Sequence, residues 1–414
     1  MISAEENQLL TQTNRGTPCG AMMRRYWQPV ALCEELPADG APLKVRILGE
    51  ELVLFRDDQG RPGLIGLHCA HRGTDLSYGR IEDGGLRCLY HGWLYDVCGR
   101  VIDQPGEPGG GANKDAIRHL AYRCQEAGGV IFTYMGPGEP PLLPNYEFLT
   151  AAPAKRTVVK AFYECNYLQG NEGNIDPVHL SFLHQIIDEA QVARQRIVQG
   201  ANMTDNRLLG RDIAPTIEVE VSNFGLRIYT TRDASSDKRY LRVTNFVMPN
   251  LAAFGGSTVG DGYSVHWHVP IDDRSHWKYI FAFSRDKDLD EFLRTRSRVE
   301  LAADYRLTCN AANRYRQDRA SMKTQTFTGM GANFQVHDAF ATESQGYVQN
   351  RTEENPVSSD KAIIAARKLI LNAIKDVQEG RDPQANRFAN LVVLSDVIPK
   401  SADWKEYTRG RESK

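Results

Sequence analysis

The segment LHCAHRGTDLSYGRIEDGGLRCLYHGWLYD sets Cys69, His71, Cys88 and His91 in two tight pairs, ordered Cys, His, Cys, His. Two thiolates and two imidazoles are a complete ligand set for tetrahedral zinc. Zinc fingers and knuckles, however, usually begin with a Cys-x2-Cys-like pair. Here each pair is mixed, Cys69-Ala-His71 and Cys88-Leu-Tyr-His91. A Rieske-type [2Fe-2S] cluster needs two thiolates on one iron and two neutral imidazoles on the other, and two facing hairpin tips with one of each would supply them. The mixed order favours that cluster over zinc.

A second constellation closes the stretch ECNYLQGNEGNIDPVHLSFLH, which ends in Asp176-x2-His179-x4-His184 with Glu172 one turn before the aspartate. Histidines five apart lie about 140° apart on a regular α-helix, so their joint use as ligands predicts a local, π-like distortion. Two imidazoles and one carboxylate on one face of Fe(II) leave the opposite positions open for O2 and substrate. The third ligand must come from elsewhere. Asp304 and Asp360 are available carboxylates, but Asp360 falls in the first turn of a helix, where the helix dipole accounts for it.

These residues need elements to hold them. A chain of 414 residues exceeds the size of a single growing core, so two domains are expected. Hydrophobic residues at 41%, charged residues at 25% and a net charge of -2 give no electrostatic reason to expect nucleic acid or an anionic membrane as partner. The N-terminus lacks the basic region and apolar run of a secretory signal, and no stretch reaches about 18 uninterrupted apolar residues. A cytoplasmic protein is expected. Cys19, Cys33, Cys98, Cys124, Cys165 and Cys309 are scattered without a framework, which fits reduced, buried thiols.

Between about residues 43 and 135, short β-rich runs broken by Gly, Asp and Asn read as a small antiparallel β domain. GPGEPPLLPNYEF, residues 136 to 148, reads as an extended crossing between domains. The second half carries a helical run near 164 to 190, then strands such as TIEVEVSNFGLRIYTTRD, YLRVTNFVMPN and YSVHWHVPIDD. SSDKAIIAARKLILNAIKDVQEG reads as an amphipathic helix opened by Ser358 or Ser359 and closed at Gly380. The fold class is α+β. No repeat recurs at a period of 20 to 50 residues, and GEPGGGANKD reads as a flexible surface loop. In GMGANF, Phe334 takes the place of a third glycine and no dinucleotide context follows, so NAD binding by the chain itself is not expected.

Cys69-x-His71-Arg72 followed by Cys88-x2-His91-Gly92-Trp93 resembles the Rieske domains of bacterial ring-hydroxylating oxygenases. Rieske proteins of respiratory complexes add a disulfide beside the cluster; its absence here, together with Trp93, matches the oxygenase type. The segment from Asp176 to His184 resembles the family's mononuclear-iron motif. The resemblance implies His179 and His184 as iron ligands and Asp176 as a bridge that accepts a hydrogen bond from a Rieske histidine, His91, and orients His179. It also points to Asp338 in ANFQVHDAFATESQG as the carboxylate ligand, with Glu343 five residues on and His337 as an adjacent rival.

The N-terminal segment, HWHVPIDDRSHWKY and the SSDKAIIAARKLI helix resemble the phthalate dioxygenase subgroup. That implies an N-terminal segment (1–40) packing on the catalytic domain, a Rieske domain (41–148) and a catalytic domain (149–414) of helix-grip type, with an antiparallel sheet surrounded by helices. It implies an α-only trimer or paired trimers and a separate flavin and [2Fe-2S] reductase using NADH. The cluster would serve the iron of a neighbouring chain, which requires a head-to-tail ring. The implied activity is O2-dependent hydroxylation of an aromatic carboxylate of the phthalate, phenoxybenzoate or chlorobenzoate kind, by cis-dihydroxylation. Monooxygenation or O-demethylation of a related ring is the alternative, and a Rieske electron carrier without its own substrate is an alternative of another class. Gln345 and Asn350 in QGYVQNRTEENPV depart from the subgroup's pattern, which leaves the substrate open. An aromatic acid needs a fixed cation, and Arg242 sits in a strand pattern where an inward charge is costly unless used. Arg207, in a loop-like stretch, resembles a second carboxylate contact.

Overall fold

The structure, a computed structural model, describes residues 1–112, 114–188, 210, 212–255, 262–289, 291, 300–383 and 391–411. It divides into a small unit, Thr13–Leu143, and a large unit, Met1–Gln12 with Pro144–Lys414. Helix α1 (Ala4–Thr11) belongs to the large unit, where Asn166 Nδ2 donates to the Thr11 carbonyl at 2.8 Å. The division differs from a boundary at residue 40. Helix α2 (Pro18–Met23) and strand β1 (Gln28–Leu32) fall in the small unit, because β1 pairs with a strand at residues 130–134.

In the small unit β2 (Leu43–Ile47), β3 (Glu50–Arg56), β4 (Pro62–Gly66), β9 (Ala121–Ala127) and β10 (Val130–Tyr134) join β1 in the order β1-β10-β9-β4-β3-β2. Strands β5 (Arg80–Glu82), β6 (Gly85–Arg87), β7 (Leu94–Tyr95) and β8 (Val101–Asp103) form a second sheet in sequence order. All pairs are antiparallel, as the short alternating runs require. Cys69, Cys88 and Trp93 are built into the core cluster of Val53, Phe55, Ile65, Leu67, Leu86 and Tyr95.

Residues 136–146 carry no helix or strand and lead into α3 (Glu147–Thr150). The large unit is organised by an antiparallel sheet of β11 (Arg156–Tyr163), β12 (Thr216–Val221), β13 (Gly225–Asp233), β14 (Lys238–Val247), β15 (Leu251–Phe254), β16 (Tyr263–Asp272) and β17 (Ser275–Phe283). Its order is β11-β17-β16-β15-β14-β13-β12, and β18 (Leu394–Pro399) pairs with the first half of β14. Side chains alternate between faces, so register decides what can meet. Thr230 opposes Arg242, Thr244 opposes Phe254, Ala252 opposes His266 and His268 opposes Lys278. Arg232, Arg242, Phe254, His266, His268 and Lys278 therefore share one face. The other face buries Tyr229, Leu241, Val243 and Ile398 against Trp404 and Tyr407 of a C-terminal helix at residues 404–409.

Helix α4 (Tyr167–Ile175), capped by Asn166, meets the first of these faces through Asn174. A helix through 164–190 was expected, yet α4 stops at Asp176, which is extended (φ -82°, ψ 118°). Pro177 excludes the α conformation from the residue before it. A single 3-10 turn, His179–Ser181, follows, so a broken helix and not a π-turn brings the histidines together. Helix α5 (Phe334–Glu343) starts at Asn333, whose side chain accepts from Gln335 N–H. Helix α6 (Lys361–Gln378) has no serine cap; Asp360 precedes it and accepts from Val357 N–H at 2.7 Å. At its other end Gly380 (φ +78°) lets Gly380 N–H reach Val377 O and Arg381 N–H reach Asp376 O, the closing pattern that favours glycine.

Candidate metal centres

The two cysteine–histidine tips of the small unit are built alike. Cys69 N–H donates to Thr74 O and its carbonyl accepts from Gly73 N–H, both at 2.8 Å. Cys88 repeats the pattern with Trp93 O at 2.8 Å and Gly92 N–H at 3.1 Å. Gly73 (φ +76°) and Gly92 (φ +75°) supply the left-handed residue each tip needs. The imidazoles of His71 and His91 meet at 4.5 Å, and His71 stacks on Trp93 at 4.7 Å. Burial pushes the Cys88 thiol up, the Cys69 thiol beside it adds to this, and the Tyr90 and His91 N–H groups pull the other way. Tyr95 Oη lies 3.0 Å from Cys69 Sγ. His71 Nδ1 is buried without a hydrogen-bond partner, an orphan that a metal ligand would explain. Two adjacent thiols and two touching imidazoles fit the cluster's demand.

In the large unit His179, His184 and Asp338 bring one ligand atom each within 4.8 Å of one another. Their outer atoms are already committed. His179 Nδ1 donates to the Asp176 carbonyl at 2.7 Å, with Asp176 Oδ2 at 3.8 Å, which leaves Nε2 free. His337 Nε2 donates to Gly331 O at 2.9 Å, so its Nδ1 is a lone pair and accepts from His184 Nδ1–H at 3.3 Å. His184 Nε2 is then a lone pair too, and it stands 3.1 Å from Asp338 Oδ1. With His184 neutral, two acceptors face each other, a contact that a shared proton or metal ion makes favourable. The other carboxylate oxygen, Oδ2, accepts from Lys278 Nζ at 3.0 Å.

A model of the Rieske [2Fe-2S] domain matches residues 26–120, and one described as LigXa C-terminal domain like matches residues 133–414. The phthalate 4,5-dioxygenase oxygenase subunit of Pseudomonas putida is 34% identical over 98% of this chain and 95% of its own length. The chain belongs to the Rieske oxygenases of the phthalate dioxygenase-like group. The phenoxybenzoate dioxygenase α subunit of Ectopseudomonas oleovorans is 33% identical, covering 95% of this chain and 93% of that one. The reduced oxygenase–ferredoxin complex of carbazole 1,9a-dioxygenase shares the fold at a TM-score of 0.56 and 20% identity, covering 89% of this chain and 93% of that one. The cofactors of such an oxygenase are a Rieske [2Fe-2S] cluster and a mononuclear iron, with O2 as cosubstrate, and the two donor sets described above fit them.

The electrostatics of the oxygenase's large unit follow from burial. Burial holds the His184 imidazole down at about 4, so it is neutral at pH 7. Burial pushes the Asp338 carboxyl up, but the Lys278 ammonium, the largest opposing charge, outweighs it and holds the group well below the usual carboxylate range. Lys278 is itself buried, which lowers its ammonium while Asp338 opposes the shift. His337, the rival ligand, has both nitrogens engaged by Gly331 and His184 and acts as the support of a ligand. Glu343 points elsewhere, accepting from Tyr315 at 2.6 Å and from Glu164 N–H at 3.0 Å. Asp304 is exposed beside Arg306.

Arg242 is half-buried on the sheet face that carries Lys278, packs over Phe254 at 5.5 Å, and has a buried Nε without a hydrogen-bond partner among the described residues. Arg207 lies outside the described residues. The sequence reading missed Arg232, which is buried and donates to Pro177 O at 2.8 Å, Ser181 Oγ at 3.1 Å and Asp212 O at 3.0 Å. It braces the turn that carries His179. Burial, with Arg242 nearby, brings its guanidinium down to about 10. Lys278 was missed as well; the one signal was a lysine inside the apolar strand HWKYIFAF. Among the described residues no helix is long and apolar enough to cross a membrane.

Proposed function

We propose that this chain is the terminal oxygenase of a multicomponent system, cytoplasmic and assembled as a trimer or paired trimers. It receives electrons from a separate NADH-dependent flavin/[2Fe-2S] reductase and cis-dihydroxylates an aromatic carboxylate. Cys69, His71, Cys88 and His91 would hold the cluster; His179, His184 and Asp338 would hold the iron. The observation that carries this reading is the 3.1 Å contact of two acceptors, His184 Nε2 and Asp338 Oδ1, with His179 completing the triad. When bound, the two groups supply stored electrons and an open metal position for O2.

The chain's own residues do the rest. Asp176 fixes the His179 ring through its carbonyl, and its carboxylate, one quarter exposed, would accept a hydrogen bond from His91 of the partner subunit. His337 and Lys278 hold the other two ligands in orientation. Arg242, held over Phe254, would bind the substrate carboxylate and aim the ring toward the triad. The names of the relatives, phthalate and phenoxybenzoate dioxygenases, support an aromatic acid.

The test is turnover of the reduced holoprotein with labelled dioxygen and a panel of benzoates, phthalate isomers, phenoxybenzoates and methoxybenzoates. A product carrying both label atoms is expected. A singly labelled or demethylated product would replace dihydroxylation by monooxygenation, and no product from any acid would overturn the substrate class.

A further inference from the structure

Between α4 and the sheet, three buried histidines and the half-buried Asn174 form a run of polar side chains that neither metal set uses. His276 Nδ1 sits 2.7 Å from the Cys165 carbonyl oxygen. A carbonyl only accepts, so the His276 proton is on Nδ1 and Nε2 is a lone pair. That lone pair lies 2.9 Å from His268 Nδ1, which therefore carries a proton and leaves His268 Nε2 bare. The Asn174 amide donates to this nitrogen, and Asn174 Oδ1 accepts from His266 Nδ1 at 2.8 Å. One end of the chain thus sets every tautomer, and it terminates at His266 Nε2 as a lone pair.

The reverse polarity needs an extra proton, because His276 would have to donate from both nitrogens. Burial opposes that, bringing His276 down to about 3 and holding His268 and His266 well below their ordinary value. The run ends at a carbonyl that cannot pass a proton on, so it is a tautomer lock and not a proton path. The His266 ring stands edge-on to Phe254 at 4.7 Å, on the sheet face that carries Lys278 and Arg242. The same Phe254 ring carries the Arg242 guanidinium at 5.5 Å, and Lys278, cross-strand from His268 on this face, reaches Asp338 at 3.0 Å, so His266 lies on the face shared by the triad's support and Arg242. No hydrogen-bond partner meets its Nε2 among the described residues.

We infer that His266 Nε2 is a specificity-determining acceptor of the substrate site, and that the preferred substrate is an aromatic acid bearing a hydroxyl that donates to it. Asn174, His268 and His276 are positioning residues that keep this nitrogen bare. The inference rests on the proposed reading of Arg242 as the carboxylate contact and narrows it. A second carboxylate at this point would set acceptor against acceptor, whereas a ring hydroxyl satisfies the histidine.

The test is equilibrium binding to the oxidised holoenzyme, without reductant, of benzoate, the hydroxybenzoates, the matching methoxybenzoates and phthalate. In the unaltered protein one hydroxybenzoate should bind at least about tenfold tighter than benzoate and than its methoxy counterpart, the margin of one hydrogen bond to a buried acceptor. His266→Phe should erase that margin. His276→Phe, which touches no substrate and only frees the tautomers, should shrink it while keeping its affinity for benzoate. Equal binding of hydroxy and methoxy acids, tightest binding of phthalate, or a margin that survives His266→Phe would each overturn the inference. Arg242→Gln separates the two layers: if it leaves benzoate affinity unchanged, the carboxylate reading itself fails. If it weakens every acid while the hydroxyl gains nothing, only the role of His266 fails.

Discussion

Glu172 offers the sharpest test of how the helix leading into the metal-bearing turn is held. It sits one turn before Asp176, whose N–H donates to the Glu172 carbonyl. Its carboxylate takes Arg351 Nη2 at 2.9 Å and Arg367 Nε at 2.6 Å, and Arg367 spends its remaining nitrogens on Glu354. Arg351 also reaches Asn7 of α1 at 3.3 Å. Two carboxylates thus face two guanidiniums, with Arg351 wholly buried and Glu172 and Arg367 nearly so. Glu172→Gln preserves shape and removes one charge, stranding a buried positive group. Breaking such a pair costs about 3–5 kcal/mol. At the low slope expected of a unit this large, about 2 °C per kcal/mol, the melting midpoint should fall by about 6–10 °C.

The pH dependence gives an independent sign. Burial pushes the Glu172 carboxyl up, but the two arginines outweigh it and hold it below its ordinary value of 4.5. A carboxyl depressed in the folded state stabilises above the unfolded value, and that stabilisation is lost as pH falls through the folded one. Melting followed by circular dichroism from pH 7 down to pH 3 should show the two proteins converging on the acid side. The double variant Glu172→Gln/Arg351→Met restores charge balance and should recover much of the loss. A cost under about 1 kcal/mol for Glu172→Gln at pH 7, or a double variant no more stable than the single one, would refute the reasoning.

Three further outcomes follow from the two sites. Asp338→Ala should lose the mononuclear iron while the Rieske absorption and spin-resonance signals stay intact; full iron occupancy would show that another group completes the triad. Asp176→Asn leaves the main-chain carbonyl that holds His179 in place, so it should retain both metals by metal analysis, and it should lower turnover by about tenfold to a hundredfold because it replaces the carboxylate proposed to accept from His91 of the partner subunit. Tyr95→Phe removes the hydroxyl 3.0 Å from Cys69 Sγ. Hydrogen bonds to cluster sulfurs favour the reduced, more negative state, so the potential read by redox titration should fall by about 40 mV for a bond worth about 1 kcal/mol.

What the sequence disclosed was what local chemistry encodes. The mixed Cys–His pairs and the Asp176-x2-His179-x4-His184 spacing lie within short segments, and the glycines after each pair mark the tips that hold them. The helix break at Asp176-Pro177 is equally local, since the proline bars the α conformation from the aspartate before it. The small unit's border could not be read, because β1 joins it through pairing with β10, about a hundred residues away. Lys278 and Arg232 were invisible for a related reason. Lys278 is a lone charge in its strand and Arg232 one of three in its own, and the use of each depends on register, which places Lys278 beside His268 and Arg232 diagonal to Arg242. His266 and His268 could have been noticed, since alternation puts both histidines of HWH on one face; nothing in the segment said that Asn174 would stand between them.

The charges of the large-unit site bear on why an acid should be its substrate. Asp338 is cancelled by Lys278, 3.0 Å away, and burial keeps His184 neutral. The protein therefore offers a divalent metal a triad with almost no net charge once Lys278 is counted, and Arg242 adds a further positive charge on the same sheet face. Asp176 is the negative group nearest the His179 ring, and its carbonyl is already spent on that ring. A filled site is left electropositive in a region shielded from water, where charge is poorly screened. An anionic ring acid restores the balance and a neutral ring does not. On the proposed reading Arg242 would set where a carboxylate sits, and the excess positive charge of the filled site would favour an acid over a neutral ring.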